Sequence, residues 1–403
     1  MTGAIAQVQG AFLEYPGSLE RFAERDTNDG IAAVPLGGNP QTLNLNALTG
    51  ADMLESITAR FRFVGTFNAY TGSLSVSPWF PYNMVQTLRV PFQSGSLSMG
   101  SMDGHLWWLT ELLRGHNRKF EAVPYVQQVP ILSTGYSVQP NLVSAANYAP
   151  AVSVQKIFDF NLRIWPALFF DRFYDMSSDG KLLRFDDTYV SPLLMSSTGR
   201  NIIPTVTLNP LFGATLDNAP FVQITTLTTP PTWTDNGSLV YFRRDGWRQP
   251  ANAALMPPLF NWAHQWFVQR TPLSGARVQI PIPTEGQLLC IVLRMFDPTL
   301  ASGIGGPIPL NNLASLKLTY GSGLNKFDDV PKSIQDRIFR QHGFMPTEGV
   351  AIWDMYADTM SNLDAINTYN TASPLIQLDF TGATPGTGSY VDVAMEFLTL
   401  IGN

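Results

Sequence analysis

The sequence predicts a mainly β protein built from two tandem sandwich domains, and three observations carry this prediction. Short segments with alternating apolar and polar residues, such as Ile57–Phe63, are separated by turn residues. The 32 Gly and 30 Pro are spread along the chain, and the 25 Phe, 13 Tyr and 9 Trp indicate a packed core instead of disorder. The segment Asn83–Phe92 has a second copy in Asn311–Tyr320.

The two copies, NMVQTLRVPF and NNLASLKLTY, align without a gap when Asn83 is matched to Asn311. At this spacing Leu88 also meets an identical residue, Leu316, and Arg89 meets Lys317. Because side chains alternate along a strand, one face of each copy is expected in a core, with the two basic residues facing solvent or a neighbouring molecule. A repeat at about half the chain length indicates two versions of one domain.

Length and composition agree with two domains and limit the functions that are expected. The 403 residues exceed what a single core usually supports, and 45% of them are hydrophobic. Only 14% are charged, against about 25% in an ordinary globular domain. Much of the surface is therefore neutral, as in a protein covered by copies of itself or by partners. A net charge of −6 without a basic cluster argues against direct nucleic-acid binding.

Three further features concern the cellular setting. The lone Cys290 lies in an apolar run and is predicted to be an inert core residue. No run approaches the roughly 20 apolar residues of a membrane span. The segment Met1–Gly17 lacks the basic start and long apolar stretch of a signal peptide, so we expect the chain to be made in the cytoplasm.

The first half is predicted to contain an N-terminal arm, residues 1–38, and a sandwich domain over residues 39–235. In the arm, Ser18 can cap a short helix that extends to Arg25. After the repeat, Asp103 is a good N-cap for a helix with leucines at helical spacing. Residues 117–200 are expected to contain large inserted loops. The predicted strands are Gln41–Leu48, Ile57–Phe63, Ser73–Val76, Asn83–Phe92, Ile202–Leu208 and Phe221–Thr226.

The second sandwich is predicted over residues 236–403, after the turn-rich segment Thr228–Gly237. Its aromatic segment Asn261–Pro272 is predicted to be helical. The buried strand Leu288–Phe296 aligns with the first half when Phe67 is matched to Phe296. This match is one residue longer in spacing than the match of Asn83 to Asn311, so it requires a single insertion. Ser333–Phe339 is predicted as a helix. The other predicted strands are Ala276–Gly286, limited to a sheet edge by its two prolines, Gly349–Tyr356, Pro374–Phe380 and Tyr390–Leu400.

Residues that could carry chemistry are few. The four histidines, His105, His116, His264 and His342, lack metal-ligand spacing, and no zinc, serine-hydrolase or phosphate-loop motif is present. Gly303–Pro307 is glycine-rich but lacks Lys, and Pro307 removes a backbone donor, so it is predicted to be a plain loop. No catalytic, metal-binding or cofactor-binding residue is predicted, and we do not expect an enzyme.

Acidic and aromatic residues suggest two alternatives, a calcium loop and a carbohydrate site, for which the sequence gives less support. Asp171, Asp175 and Asp179 recur every fourth residue, which misses the alternate-position pattern of a calcium loop. Asp354 and Asp358 could act as an acid pair on a sugar, although solvent-facing or interface positions are the simpler interpretation. The tryptophans that could stack on carbohydrate, but are more commonly packing residues, are Trp79, Trp247 and Trp353.

Several segments together resemble the double jelly-roll major capsid proteins of tailless, membrane-containing icosahedral phages, which are tectivirus-like and share the architecture of adenovirus hexon. The resemblance covers about residues 40–403 and rests on apolar strand patterns, while residues 117–200 depart most. The segments are ITARFRFVGTF, NMVQTLRVPF and HLWWLTELL in the first half, and QLLCIVLRMFD, LASLKLTYGSG, GVAIWDMYAD and INTYNTASPLIQLDF in the second.

The resemblance implies two eight-stranded jelly-roll sandwiches with short helices and long loops. It implies a homotrimeric, pseudo-hexagonal capsomer that tiles an icosahedral shell and is located in the virion. Implied partners are other copies of the chain, minor capsid and vertex proteins and, through the N-terminal arm, an internal membrane. Loops within residues 117–200 would form outward towers. No active-site residue is implied.

Two other functions stay open at this point. One is a carbohydrate-binding or carbohydrate-active double sandwich that uses Asp354 and Asp358. The other is a receptor-binding spike on a virion, which would share the trimer but be present in few copies.

Overall fold

A computed structural model describes most of both predicted domains, and the mainly β fold is confirmed. The described residues are 21–25, 41–44, 53–67, 74–91, 98–114, 125–126, 154–164, 168–170, 174–176, 182–184, 189–191, 193–194, 204–223, 231–247, 262–320, 324–342, 348–355, 365–369, 374–382 and 385–400.

The first sandwich consists of two antiparallel sheets. The larger sheet runs in the order β1 (Arg21–Arg25), β18 (Leu239–Trp247), β3 (Met53–Phe67), β8 (Val154–Ile164) and β7 (Tyr125–Val126), with β13 (Leu193–Leu194) and β17 (Trp233–Asp235) also paired to β3. The smaller sheet runs in the order β2 (Gln41–Asn44), β14 (Thr205–Leu208), β5 (Val85–Pro91) and β6 (Ser98–Met102).

Shorter elements surround this sandwich. A three-stranded sheet joins β15 (Phe212–Gly213), β16 (Phe221–Gln223) and β4 (Leu74–Val76). Two separate strand pairs are β10 (Tyr174–Met176) with β11 (Leu182–Arg184), and β9 (Leu168–Phe170) with β12 (Tyr189–Ser191). A 3-10 turn at Tyr82–Met84 precedes β5, and helix α1 (Gly104–Arg114) follows β6.

The second sandwich repeats this arrangement. One sheet contains β19 (Trp262–Pro272), β28 (Tyr390–Leu400), β21 (Gln287–Asp297), β22 (Gly306–Pro307), β25 (Val350–Asp354) and β26 (Ile366–Asn367), the last three all paired to β21. The other runs in the order β20 (Arg277–Pro281), β27 (Leu375–Phe380), β23 (Leu313–Tyr320) and β24 (Leu324–Asp329). A tight turn, labelled α2 (Leu300–Gly303), a 3-10 turn at Leu310–Asn312 and helix α3 (Pro331–His342) complete it.

Eight strands of each sandwich correspond one to one. The order β1-β18-β3-β8 in the first sandwich matches β19-β28-β21-β25 in the second, and β2-β14-β5-β6 matches β20-β27-β23-β24. In each half a helix, α1 or α3, follows the edge strand β6 or β24. Two four-stranded sheets linked in this way form a jelly roll, so the predicted two jelly-roll sandwiches are confirmed.

The sequence repeat is structural as well. In both copies a 3-10 turn leads directly into a strand, Tyr82–Met84 into β5 and Leu310–Asn312 into β23, at the spacing that matches Asn83 to Asn311. Leu88 and Leu316 are buried, at 0% and 1% exposure. Arg89 is exposed and Lys317 is half-buried. The predicted inward and outward faces of the repeat strand are therefore confirmed.

Two predicted helices are wrong where the structure describes them. The sequence predicts a helix over Asn261–Pro272, but β19 pairs with β28 at every residue from Trp262 to Pro272. Pairing in a sheet satisfies the backbone over eleven residues rich in aromatic and β-branched side chains, which favour strands. The predicted Ser18–Arg25 helix is replaced over Arg21–Arg25 by β1, which pairs with β18; Ser18 lies outside the described residues.

Strand pairing also changes how the chain divides. The sequence predicts that residues 236–403 form the second sandwich and residues 1–38 an arm, yet β18 and β1 are neighbouring strands of the first sandwich. The turn-rich segment Thr228–Gly237 therefore precedes the last strand of that sheet. Within residues 117–200, β8 is a central strand paired to β3 over eleven residues, and it is the counterpart of β25.

The match of Phe67 to Phe296 fails because it exchanges the two faces of the strand. With that match, Phe63 would align with Val292, which shares a strand face with Arg294. Phe63 stacks on Phe61 in the core of the first sandwich, whereas Arg294 contacts residues of the other sandwich. The spacing of the repeat matches Phe63 to Ile291 instead. Core-facing residues of one strand then align with core-facing residues of the other, and no insertion is needed.

The helix after Asp103 and the helix over Ser333–Phe339 are both confirmed, the second within Pro331–His342. The prediction of an edge strand at Pro281 is confirmed, because β20 ends its sheet. None of the helices within the described ranges is long and apolar enough to cross a membrane.

A substitution in the repeat tests its structural role. Leu88→Ala removes a fully buried side chain, so we expect a loss of about 2–5 kcal/mol in the free energy of unfolding, from lost burial and a residual cavity. Leu316→Ala should cost a similar amount in the second sandwich. Urea unfolding followed by tryptophan fluorescence measures both. Arg89→Ala, on the exposed face of the same strand, is the control and should change stability by less than about 0.5 kcal/mol.

Candidate functional site

A cluster of buried charged residues joins the two sandwiches. Its centre is Arg294 in β21, whose side chain is 2% exposed. It is placed there because β21 lies in the sheet of the second sandwich that faces the first. The other members are Asp103, just before α1 in the first sandwich, and Asp392 in β28, which pairs with Arg294 in the sheet.

The Arg294 guanidinium binds both carboxylates. Its Nη1 donates to Asp103 Oδ1 at 2.9 Å and its Nη2 to Asp103 Oδ2 at 2.5 Å, a bidentate geometry. Its Nη2 also donates to Asp392 Oδ2 at 2.7 Å. Asp392 accepts two further hydrogen bonds from Arg270 of β19, at 2.7 and 3.0 Å. Two arginines and two aspartates are therefore balanced in charge.

Two rings of the first sandwich complete the surroundings of Arg294. Its Cζ lies 4.2 Å from the Trp79 ring centroid, a cation–π contact. The His105 ring stacks on Trp79 with centroids 5.6 Å apart, and His105 Nδ1 lies 3.4 Å from Arg294 Nη1, where it can accept a hydrogen bond. Burial lowers the pKa of His105 well below 6.5, and the charge of Arg294 lowers it further. His105 is therefore neutral at pH 7.

The charge state of Arg294 follows from the same contacts. Burial by itself would lower the pKa of Arg294, but the carboxylates of Asp103 and Asp392 outweigh it and hold the pKa above its ordinary value. Removing a charge from water costs several kcal/mol per ion. The hydrogen bonds of Arg294 to two carboxylates offset part of that cost, while its Nε has no hydrogen-bond partner among the described residues. The contact with Asp103 joins the two sandwiches, so a different docking of the sandwiches would remove two of the hydrogen bonds of Arg294.

Asp103 has two roles. Its Oδ1 accepts a hydrogen bond from Leu106 N at 3.0 Å, so it caps helix α1 as predicted. The same carboxylate binds Arg294. The start of α1 is thereby fixed to the second sandwich.

Apolar and polar contacts extend the interface around this centre. Trp79 packs on Phe296 with ring centroids 5.4 Å apart. Tyr390 Oη donates to Asp217 Oδ2 at 2.8 Å, and burial together with Asp217 raises the pKa of Tyr390. At Gly100 in β6, an added Cβ would lie 3.1 Å from both Trp266 and Trp107, so this glycine allows β6 to approach β19 closely.

The interface explains an asymmetry between the two equivalent sheets. In the second sandwich, every residue of β21 after Gln287 and all of β25 are buried, so both faces of the sheet are covered. In the first sandwich, β3 alternates between buried residues such as Phe61 and the exposed Arg62. One face of the second sheet packs on its own core and the other on the first sandwich.

The histidines and tryptophans considered above whose side chains the structure describes are buried. They are His105, His264, Trp79 and Trp353. Cys290 is fully buried, as predicted. His264 Nδ1 lies 2.7 Å from Glu396 Oε1 in a second buried pair. Trp79 and Trp353 are 2% and 1% exposed, and so cannot stack on a carbohydrate at the surface. His342 is in α3, and Trp247 is in β18. His116 and the side chains of His342 and Trp247 lie outside the described residues.

The acidic candidates do not form a described site. Asp354 is 1% exposed and Asp358 lies outside the described residues, as do Asp171 and Asp179 and the side chain of Asp175. No group of three metal-ligating side chains occurs in the part of the chain that the structure describes. Gly303–Pro307 follows a tight turn in which Ala301 and Ser302 have positive φ, and its last two residues form β22.

The interface cluster was not predicted from the sequence, although a signal was present. Arg294 is the only charged residue in the apolar run Leu288–Phe296, and Asp392 and Glu396 interrupt the apolar strand β28. A charged residue inside a strand that is otherwise apolar on both faces must have a partner. Which partner it has depends on docking of the sandwiches, which no local pattern contains.

Replacing the central arginine tests the cluster. Arg294→Met leaves Asp103 and Asp392 buried with fewer partners, so we expect a loss of about 3–5 kcal/mol in the free energy of unfolding. The control is Arg277→Met, which breaks an ion pair of Arg277 with Asp379 at 2.6 Å whose arginine is 67% exposed. That variant should lose no more than about 1 kcal/mol. Equal losses in the two variants would contradict the proposed role of Arg294.

The buried His105 predicts a pH dependence of stability. Its pKa is lower in the folded than in the unfolded chain, so below pH 6.5 the unfolded chain binds an extra proton. Stability should therefore fall as the pH drops below 6.5, by at most about 1.4 kcal/mol per pH unit for this group. His105→Phe keeps an aromatic ring at this position but cannot titrate. The free energy of unfolding of this variant should therefore fall less between pH 7 and pH 5.5 than that of the unsubstituted protein. Identical pH profiles from urea unfolding would refute this assignment.

Comparisons with known proteins agree with this architecture. No protein-family model matches the sequence, and a search of curated proteins finds no significant relative. Among solved structures, the chain is similar to the STIV MCP, with a TM-score of 0.56, 15% identity, and coverage of 94% of this chain and 97% of that one.

Two further structures show the same likeness. The atomic structure of Sulfolobus Turreted Icosahedral Virus gives a TM-score of 0.58 at 15% identity, covering 94% of this chain and 91% of the other. PBCV-1 VP54, fitted into a reconstruction of the virophage Sputnik, gives 0.51 at 10% identity, covering 94% and 93%. These are major capsid proteins with a double jelly roll. The chain therefore has the double jelly-roll fold of viral major capsid proteins.

Proposed function

We propose that this protein is the major capsid protein of an icosahedral virus and that it assembles as a homotrimeric, pseudo-hexagonal capsomer. The observation that carries the proposal is the pair of corresponding eight-stranded sandwiches joined by a buried interface within one chain. Three such chains arranged about a three-fold axis present six similar units, which suits hexagonal packing in a shell. The likeness of fold to major capsid proteins supports the same conclusion.

The surface and the sites fit a structural role. Only 14% of the residues are charged, as expected where neighbouring capsomers cover much of the surface. We propose that the chain has no enzymatic activity, since its buried Arg294 cluster joins the sandwiches and its buried His264–Glu396 pair links two strands of one sheet. We also propose that the two sandwiches divide between Trp247 and Trp262, the last and first residues of β18 and β19.

The expected partners follow from the same proposal. Other copies of the chain form the trimer and the shell, and minor capsid or vertex proteins complete the virion. We also propose contact with an internal membrane of the virion. The segments that the resemblance implies for this contact and for outward towers, the arm 1–38 and the loops of 117–200, lie largely outside the described residues.

Assembly state is the direct test. Size-exclusion chromatography with multi-angle light scattering should give a mass of three chains for the purified protein at micromolar concentration. Negative-stain electron microscopy should show particles with a pseudo-hexagonal outline. A stable monomer would overturn the homotrimer. A trimer found in only a few copies per virion would favour a receptor-binding spike instead of a coat.

A further inference from the structure

A cleft of about 530 Å³ opens at one end of the second sandwich. Its walls are two turns, residues 272–275 between β19 and β20 and residues 385–389 before β28, together with Arg270 and Tyr390 at the ends of β19 and β28. This volume is within the range of sites that hold small ligands, about 300–1,000 Å³. The described residues that line the cleft include none of the acidic, histidine or tryptophan candidates from the sequence.

Arg270 gives the cleft a hydrogen-bond donor that is held in place. Its Nε and Nη2 donate to the two oxygens of Asp392, at 2.7 and 3.0 Å, and its Cζ lies 3.8 Å from the Tyr390 ring centroid. Its Nη1 has no acceptor among the described residues, and the side chain is 57% exposed. Because the guanidinium is already fixed, a ligand that accepts from Nη1 avoids most of the cost of ordering a long side chain.

The two turns are also held in place before any ligand binds. Gly386 N donates to Asp297 Oδ2 at 3.0 Å, and Leu273 N donates to Ser389 O at 2.8 Å, which ties one turn to the other. An added Cβ at Gly386 would lie 2.2 Å from Thr299 Oγ1, so glycine allows the second turn to pack closely on the chain that follows β21. The cleft is therefore a preformed feature of the fold.

The side chains of the two turns combine apolar rings with hydroxyl groups. Pro272 is exposed and Pro385 is half-buried, and both line the cleft. Ser274 and Thr387 line it as well and are exposed, so their hydroxyl groups are accessible to a ligand. A ligand with apolar C–H surface and several hydroxyl groups matches this combination.

The charges around the cleft argue against an anionic ligand. The Arg294 cluster, which includes Arg270, is balanced in charge by its two aspartates. The carboxylate of Asp217 lies close by and accepts from Tyr390 Oη at 2.8 Å. An anion at Arg270 would compete with Asp392 for a guanidinium that is already paired. A neutral hydroxyl group accepts from Nη1 without that competition.

We propose that this cleft binds a neutral carbohydrate. One sugar hydroxyl accepts a hydrogen bond from Arg270 Nη1, and other hydroxyls pair with Ser274 and Thr387. The apolar face of a sugar ring packs on Pro272. The site is separate from Asp354 and Asp358, the acid pair considered in the sequence, and involves binding without catalysis. It goes beyond the proposed coat function and does not depend on the trimer.

Two variants alter the cleft in different ways. Thr387→Trp places a large side chain at an exposed position of the cleft, so it should weaken carbohydrate binding at least tenfold. Arg270→Lys keeps a positive charge beside Asp392 but lacks the planar fork that holds Nη1, so it should weaken binding about tenfold. The matched controls, Thr234→Trp in β17 and Arg277→Lys in β20, change exposed residues outside the cleft and should bind normally.

A glycan array with neutral, sialylated, uronic and sulfated glycans, incubated with the labelled unsubstituted protein, identifies the class of ligand. Isothermal titration calorimetry with the strongest neutral glycan then compares the variants, and circular dichroism checks their folding. If Arg270→Lys does not fold, Thr387→Trp decides. We expect binding of neutral glycans that both cleft variants weaken and both controls keep.

Three results would overturn the assignment. They are the binding of no glycan, the binding of acidic glycans alone, and an affinity that a folded cleft variant leaves unchanged or that the controls lower equally. Light scattering reports the trimer separately. A monomeric protein that binds the glycan would therefore overturn the homotrimer and leave this assignment standing.

Discussion

The structure depends on one constraint, which is that the second sandwich must bury both faces of its larger sheet. One face packs on its own core, and the other packs on the first sandwich around Arg294. The paired carboxylates of Asp103 and Asp392 make that burial tolerable for a guanidinium that is only 2% exposed. Because Asp103 also caps α1, helix position and domain docking are fixed by the same carboxylate.

Both sandwiches have one fold, but their surfaces differ according to position. The helix that follows β6 is covered in the first sandwich, and the helix that follows β24 is half-exposed in the second. The larger sheet shows the reverse pattern, being exposed on one face in the first sandwich and covered in the second. The two sandwiches thus use different surfaces for the contact within the chain.

Sequence patterns predicted the elements that depend on local chemistry. The alternation around Leu88 and Leu316 indicated the faces of the repeat strands, and the Asp103 cap marked a real helix start. Predictions failed where long-range pairing decides the outcome. The segment Trp262–Pro272 was predicted to be helical, but its aromatic and β-branched residues and its pairing with β28 along its whole length make it a strand. Likewise, β18 joins the first sandwich because β1 and β3 pair with it, which no turn signal near residue 236 can reveal. The Arg294 cluster unites residues from both halves of the chain. A short sequence segment can therefore show the isolated charge but not its partners.

The position of β18 has a consequence for how the protein is made. Translation proceeds from the N-terminus, and β18 is the last strand that the first sandwich needs. That sandwich can close before β21, β25 and β28 have left the ribosome. The emerging strands, apolar on both faces, then find a folded partner surface in the same chain instead of each other's exposed sheets on neighbouring ribosomes. The order of the two halves thereby shortens the time for which those apolar strands are without a partner surface during synthesis.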